Sequence, residues 1–255
     1  MTVVGLLHPG EMGAAVGALL RERDETVLWA SAGRSEATAE RARRAGLEDA
    51  GSAAELCRRS EILLSVCPPH AVLDVARAAA GFTGIYVDAN AVSPDTARAV
   101  AELQSRFVDG GIVGPPPERP GTTRLYLAGA EAGEVASLFA GTNLDPRVLS
   151  GAPGAASALK AAYAGWTKGS GALLLTVRAL ARAEGVEEEL LTEWRLSLPG
   201  LEERSAGAAR SASRKGWRWV GEMEQIAHSM AANDLPTGFH EAAADVFRRA
   251  AAEES

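Results

Sequence analysis

"MTVVGLLHPGEMGAAVGALL", residues 1–20, decides the fold. An apolar run at 2–7 reads as a strand, "HPGEMG" (8–13) as a turn, and a helical pattern begins near Glu11. A helix starting this close behind a strand aims its free N–H groups and positive dipole end at the turn, making an anion site suited to a pyrophosphate. In the GxGxxG form of such a turn the first glycine allows the tight turn. The second lets phosphates approach the backbone, and the third lets helix and strand pack closely. Gly10 and Gly13 hold the second and third places, but His8 stands in the first, followed by Pro9. Pro9 has no N–H, so Gly10, Glu11 and Met12 must supply the donors. Histidine tolerates a positive φ better than most side chains, and the His8 imidazole either bonds a phosphate or fills space.

Strand-like runs continue at 26–30, 61–66, 84–89, 106–109, 123–128 and 146–149. Helical patterns lie between them at 11–23, 35–46, 52–59, 70–80, 93–105 and 131–140. Apolar strands alternating with helices predict a Rossmann-type doubly wound parallel sheet, an α/β domain over 1–150. From 151 to 255 the strands stop. One long inter-domain helix is expected at 156–185, closed by Gly185, then helices at 187–196, 200–213, 216–232 and 239–253, with a frayed "AAEES" end. The long helix is apolar on most faces, so this all-α helical domain is expected to form a homodimer.

The 255 residues carry a net charge of -7, with 47% hydrophobic and 23% charged side chains, which disfavours a nucleic-acid partner. The longest apolar runs fall far short of the roughly 20 residues that span a bilayer, so no membrane partner is expected. No signal-peptide pattern is seen at the start. Cys57 and Cys67 form no CxxC or Cys/His cluster, which predicts no metal site and fits a reducing cytoplasm.

The second strand bears on the cofactor. A site for an unphosphorylated ribose places Asp or Glu near its end, but "WASAGRS" (29–35) has no acid. Ser31, Arg34 and Ser35 offer hydroxyls and a cationic fork for a 2′-phosphate, so NADP(H) is preferred, with NAD(H) as the alternative. Ser93 reads as a helix N-cap with Pro94 at the first helical position.

The ordered series "GLLHPGEMG", "ILLSVCPPHAV" (62–72), "VDANAVSPDTA" (87–97), "FVDGGIVGPPP" (107–117), "GTTRLYLAG" (121–129) and "GAPGAASALKAAYAG" (151–165) resembles the β-hydroxyacid dehydrogenase superfamily. That superfamily includes 6-phosphogluconate and 3-hydroxyisobutyrate dehydrogenases. "WRWVGEMEQIAHSMAANDLPTGFHEAAADVF" resembles the phosphogluconate-dehydrogenase-like helical domain of one branch.

The resemblance implies a Rossmann domain joined by a long helix to a helical domain that interlocks in a dimer. It assigns the cofactor to the turn residues His8 to Met12, to Val66, Cys67 and Pro68, and to Asn90 at the nicotinamide ribose. It makes Lys160 the general acid/base of a dehydrogenase acting on a small-molecule substrate, a hydroxy acid by expectation. A lysine near a cationic nicotinamide and shielded from water can have its pKa lowered toward the working range.

This sequence departs from the family where a serine would hold substrate, at Val113 and Gly114, and where an asparagine would, at Ala164. Tyr163 and Lys168 are therefore further substrate candidates, followed by Trp166, Thr167, Trp217, Arg218, Trp219, Glu222 and His228. These losses keep open an imine reductase on the same scaffold. A cofactor-binding sensor without turnover is the non-enzymatic alternative.

Overall fold

The computed structural model of the chain describes residues 1–252; the last part of the expected frayed end, 253–255, lies outside them. The chain divides into two compact units, Met1–Lys160 and a second beginning at Ala161. The dividing point thus lies inside the long helix, whereas the sequence pattern changes at 150.

The first unit is built on an eight-stranded sheet: β1 (Val3–Leu6), β2 (Thr26–Trp29), β3 (Glu48–Asp49), β4 (Ile62–Ser65), β5 (Ile85–Asp88), β6 (Phe107–Val113), β7 (Thr123–Ala128) and β8 (Leu144–Val148). Its order is β3-β2-β1-β4-β5-β6-β7-β8. The sheet is parallel through β6. Then β7 runs antiparallel to β6, and β8 pairs parallel with β7. Pro146 is tolerated in β8 because that strand lies at the sheet edge. Between β1 and β4 the winding reverses direction, the switch point outside which ligands of open α/β sheets bind.

Side chains alternate faces with a period of two. Val4, Leu6, Val27, Trp29, Ile62, Leu64, Ile85 and Val87 enter one core, with α1 (Glu11–Glu22), α2 (Glu36–Arg44) and α6 (Ala132–Ser137). Leu7, Leu28, Leu63, Tyr86 and Phe107 enter the other, with α3 (Ala53–Arg59), α4 (Val72–Ala78) and α5 (Pro94–Ala101). Each fully buried leucine contributes about 2 kcal/mol of transfer free energy. This two-faced burial is why the strands read as continuous apolar runs.

Three helices of the first unit carry serine side-chain caps. Ser35, Ser52 and Ser93 cap α2, α3 and α5, each accepting a backbone N–H from the third residue on. The cap of α1 is Gly10, which has no side chain to offer.

The second unit contains most of α7 (Ala155–Ala183), then α8 (Glu187–Ser197), α9 (Leu201–Ala231) and α10 (Gly238–Ala252). α7 ends as expected. Gly185 takes φ 72°, its N–H bonds Arg182 O at 3.2 Å, and the Val186 N–H bonds Ala181 O at 2.8 Å. The two helices expected at 200–213 and 216–232 are one. Gly216 does not break α9 because it is buried against Phe247 of α10, and that packing overrides its weak helix propensity. Ala164, Ala172, Met223, Ile226, Ala244 and Phe247 form the core there.

Candidate active site

The turn after β1 is built as its glycines require. A Cβ on Gly13 would overlap the His8 carbonyl oxygen, so helix and turn approach closely only without one. A Cβ on Gly10 would meet nothing within 4 Å, which leaves that approach open. The N-terminus of α1 has no side-chain cap, in contrast to the three serine-capped helices. His8 corrects the sequence expectation. It has no positive φ, since among the described residues only Asp24 and Asp234 do so without being glycine. The first position of this turn therefore makes no demand for glycine.

The His8 side chain is bonded instead. Its Nε2 lies 2.7 Å from Arg34 Nη1, while Arg34 Nη2 donates to the Leu7 carbonyl at 3.1 Å. Arg41 Nη1 donates to the Pro9 carbonyl at 3.1 Å, fixing the far side of the turn. Burial, then the Arg34 charge, lowers the His8 pKa from 6.5 to about 4. The imidazole is neutral at ordinary pH and Nε2 accepts, which places the proton on Nδ1. That buried atom has no partner among the described residues. Glu11 is exposed, and Met12 packs on the core.

The loop after β2 presents Ser31, Arg34 and Ser35; Arg34 is exposed, and Ser35 is taken up as the α2 cap. The sequence showed no acid in this loop, but β3 brings one beside it. Asp49 Oδ1 accepts the N–H groups of Gly51 at 2.7 Å and Ser31 at 3.2 Å. Against the cost of burial, hydrogen bonds from Gly51 and Ser31 hold its carboxyl below the usual range. A two-residue strand gives no periodicity, so sequence reasoning missed it.

Next along the sheet, Asn90 is 2% exposed and both ends of its amide are bonded. Its Oδ1 accepts the Cys67 N–H at 2.5 Å, and its Nδ2 donates to Ser65 Oγ at 3.0 Å and to Asp88 Oδ1. Asn90 thus braces the segment at Cys67 from within. Cys67 is half-buried, and burial raises its thiol to about 11, so it stays protonated. Ser93 is the α5 cap, with its Oγ accepting the Thr96 N–H at 3.2 Å.

Behind Asn90 lie two buried acids that the sequence reading passed over, although each closes or interrupts an apolar strand. Asp88 is raised to about 7 by burial and by Asp109, against hydrogen bonds from Asn90 and the charge of Lys160. Its Oδ2 has no hydrogen-bond partner among the described residues. Asp109 on β6 accepts the N–H groups of Gly154 (2.8 Å), Ala156 (2.8 Å) and Ser157 (3.1 Å), and the Ser157 hydroxyl at 2.6 Å. It anchors the start of α7, and burial nevertheless raises its pKa.

Lys160, on the second turn of α7, is half-buried. Gly111 makes room for it: a Cβ there would meet Ala156 O at 2.8 Å and Lys160 Cβ at 3.2 Å. Gly111 lies in the C-terminal part of β6, so Lys160 stands at the same end of the sheet as the turns after β1, β4 and β5.

The other candidates divide. Val113 is buried in β6 opposite Arg124, and Gly114 takes φ 125° with Thr122 packed where a Cβ would be. Both build the β6–β7 connection. In the second unit Ala164 is core, while Tyr163, Trp166, Thr167, Trp217, Arg218 and His228 are exposed. Lys168 is ion-paired with buried Glu222 and lies 5.7 Å from the Trp219 ring.

An open glycine at an uncapped helix start, beside the His8 and Pro9 turn, fits the pyrophosphate of a dinucleotide. Fold and turn thus define a Rossmann-type α/β domain followed by a helical domain.

Comparison with known proteins agrees. Residues 181–250 match a domain of unknown function, DUF1932, a C-terminal domain of 3-hydroxyacid-dehydrogenase-like proteins. An uncharacterized 28.5 kDa protein of Methanothermus fervidus is 29% identical over 191 residues, 74% of each chain. The conserved protein MTH1747, of unknown function and described as structurally similar to 3-hydroxyacid dehydrogenases, has a TM-score of 0.74 at 28% identity, over 99% of this chain and 98% of that one. The Mycobacterium tuberculosis 3-hydroxyisobutyrate dehydrogenase with L-serine shares the fold, with a TM-score of 0.73 at 18% identity over 99% and 94% of the two chains. So does an Aspergillus terreus reductive aminase in complex with NADPH and ethyl levulinate, at 0.61 and 20%, over 99% and 94%. Over its whole length the chain is thus similar in fold to 3-hydroxyacid-dehydrogenase-like proteins. No helix among its described residues is long and apolar enough to cross a membrane.

Proposed function

We propose that this protein is an NADP(H)-dependent oxidoreductase that interconverts an alcohol, by class a small hydroxy acid, with its carbonyl. The observation that carries the reading is the placement of Lys160. An Asp109-anchored helix holds it half-buried over Gly111, at the sheet end that carries the His8–Gly13 turn. The His8 to Met12 turn would hold the pyrophosphate, and Arg34 with Ser31 the 2′-phosphate. The nicotinamide supplies or accepts the hydride. Lys160 handles the proton: its neutral amine takes the hydroxyl proton during oxidation, and its ammonium returns it to the oxygen during reduction.

The shared fold of the M. tuberculosis dehydrogenase and of the NADPH complex of the reductive aminase supports both the cofactor class and the reaction class. NAD(H) is the cofactor alternative. Reduction of an imine is the second reading, favoured by Val113 and Ala164, which are buried and apolar where an alcohol would need polar partners. Two free cysteines fit a reducing compartment, and we assign the protein to the cytoplasm as a homodimer.

The test is a panel of hydroxy acids, sugar acids and cyclic imines with both cofactors. Lys160→Ala should lower kcat on the best alcohol by at least about tenfold, or ~1.4 kcal/mol of barrier. A smaller loss overturns the role of Lys160, and turnover of imines alone selects the second reading. Arg34→Ala should weaken NADPH far more than NADH.

A further inference from the structure

We infer that His8 is a positioning residue for cofactor selection: it holds the Arg34 guanidinium where a 2′-phosphate must bind, coupling the phosphate turn to the adenosine-ribose end of the site. The inference rests on the NADP(H) reading above and deepens it.

The backbone at His8 has no positive φ, so glycine has no conformational advantage there. What distinguishes the position is its side chain, and that side chain meets Arg34. Arg34 stands in the exposed loop after β2, where an untethered arginine would lose much rotamer freedom on gripping a ligand. Two contacts remove much of that freedom beforehand, His8 Nε2 at 2.7 Å from Nη1 and the Leu7 carbonyl at 3.1 Å from Nη2. They orient the guanidinium plane beside the turn.

Of the five guanidinium N–H groups two are engaged, which leaves three for a phosphate. The contact needs a neutral imidazole, and burial together with Arg34 itself ensures that. The Asp49 carboxylate beside this loop accepts the Ser31 and Gly51 N–H groups through Oδ1, which fixes the loop backbone.

The test is equilibrium binding, by calorimetry, of NADPH, NADH and adenosine 2′,5′-bisphosphate to wild type, His8→Gly, His8→Gln and Arg34→Ala. His8→Gly should reduce the NADPH-over-NADH affinity ratio by about fivefold or more, through weaker NADPH binding with NADH little changed. The bisphosphate should weaken in parallel. Glutamine can offer an acceptor near the place of Nε2, so His8→Gln should recover most of the ratio. It also guards against a turn that glycine merely loosens.

If His8→Gly weakens both dinucleotides equally, or neither, the inference is wrong. Should Arg34→Ala collapse the ratio while His8→Gly does not, His8 fails and the NADP(H) reading stands. An unchanged ratio in Arg34→Ala, or a wild type with no preference for NADPH, removes the reading and the inference together.

Discussion

Asp88 is the residue on which pH should act most strongly. It is fully buried, its Oδ2 has no hydrogen-bond partner among the described residues, and Asp109 lies close enough for its charge to count. In the unfolded chain its carboxyl ionises near 3.8; in the folded protein burial and Asp109 keep the proton on until about 7. The folded state therefore binds more protons between those values, and stability should fall as pH rises through that window. Asn90 and Lys160 limit the shift without reversing it. Asp88→Asn imitates the protonated acid, so urea melts at a series of pH values should show a flatter profile and a relative gain above pH 7. An unchanged slope would mean that Asp88 is not the titrating group. At this scale the sequence told only half. Gly13 is legible because the close approach of helix and turn permits no other residue. The partners of His8 and Asp109 lie 26 and 45 or more residues away, and no local pattern announces them.

Between elements, the junction of β6 and α7 decides where Lys160 stands. β6 runs through Gly110 and Gly111, residues with low strand propensity, and the strand-like run read from the sequence stops at 109 just before them. Gly111 lets α7 lie close, with Ala156 O only 2.8 Å from where its Cβ would be, and Gly110 lies against Asp88 and Ala89. Gly111→Ala should push the helix outward, costing about 1–3 kcal/mol of stability and lowering kcat several-fold. NADPH affinity should hold, because the turn after β1 is untouched. A variant that lost NADPH binding instead would place Lys160 in a structural rather than a chemical role. The long helix itself was legible from its periodicity and its closing Gly185. The continuity of α9 was not, since it depends on Phe247 packing at Gly216.

For the whole molecule, the order of pieces could be read from the alternation of strands and helices, but the assembly state has to be argued from surface. On the second unit's part of α7, Trp166, Leu173 and Leu180 are 69%, 64% and 61% exposed. They recur every seven residues, so they share one helix face, and Tyr163 stands near its start. Single exposed apolar residues need no explanation, but a contiguous stripe of large ones marks an interface. At about 25 cal/mol per Å² of apolar area, covering such a stripe on two chains is a substantial drive to associate. The chain should therefore sediment as a dimer at micromolar concentration. Leu173→Glu with Leu180→Glu should shift it to monomer by placing charges in the covered face, while helix content by circular dichroism stays unchanged. A wild-type chain that sediments as a monomer would refute the homodimer and leave the stripe without a partner. A double variant that remains dimeric would move the interface to another face of the helical unit.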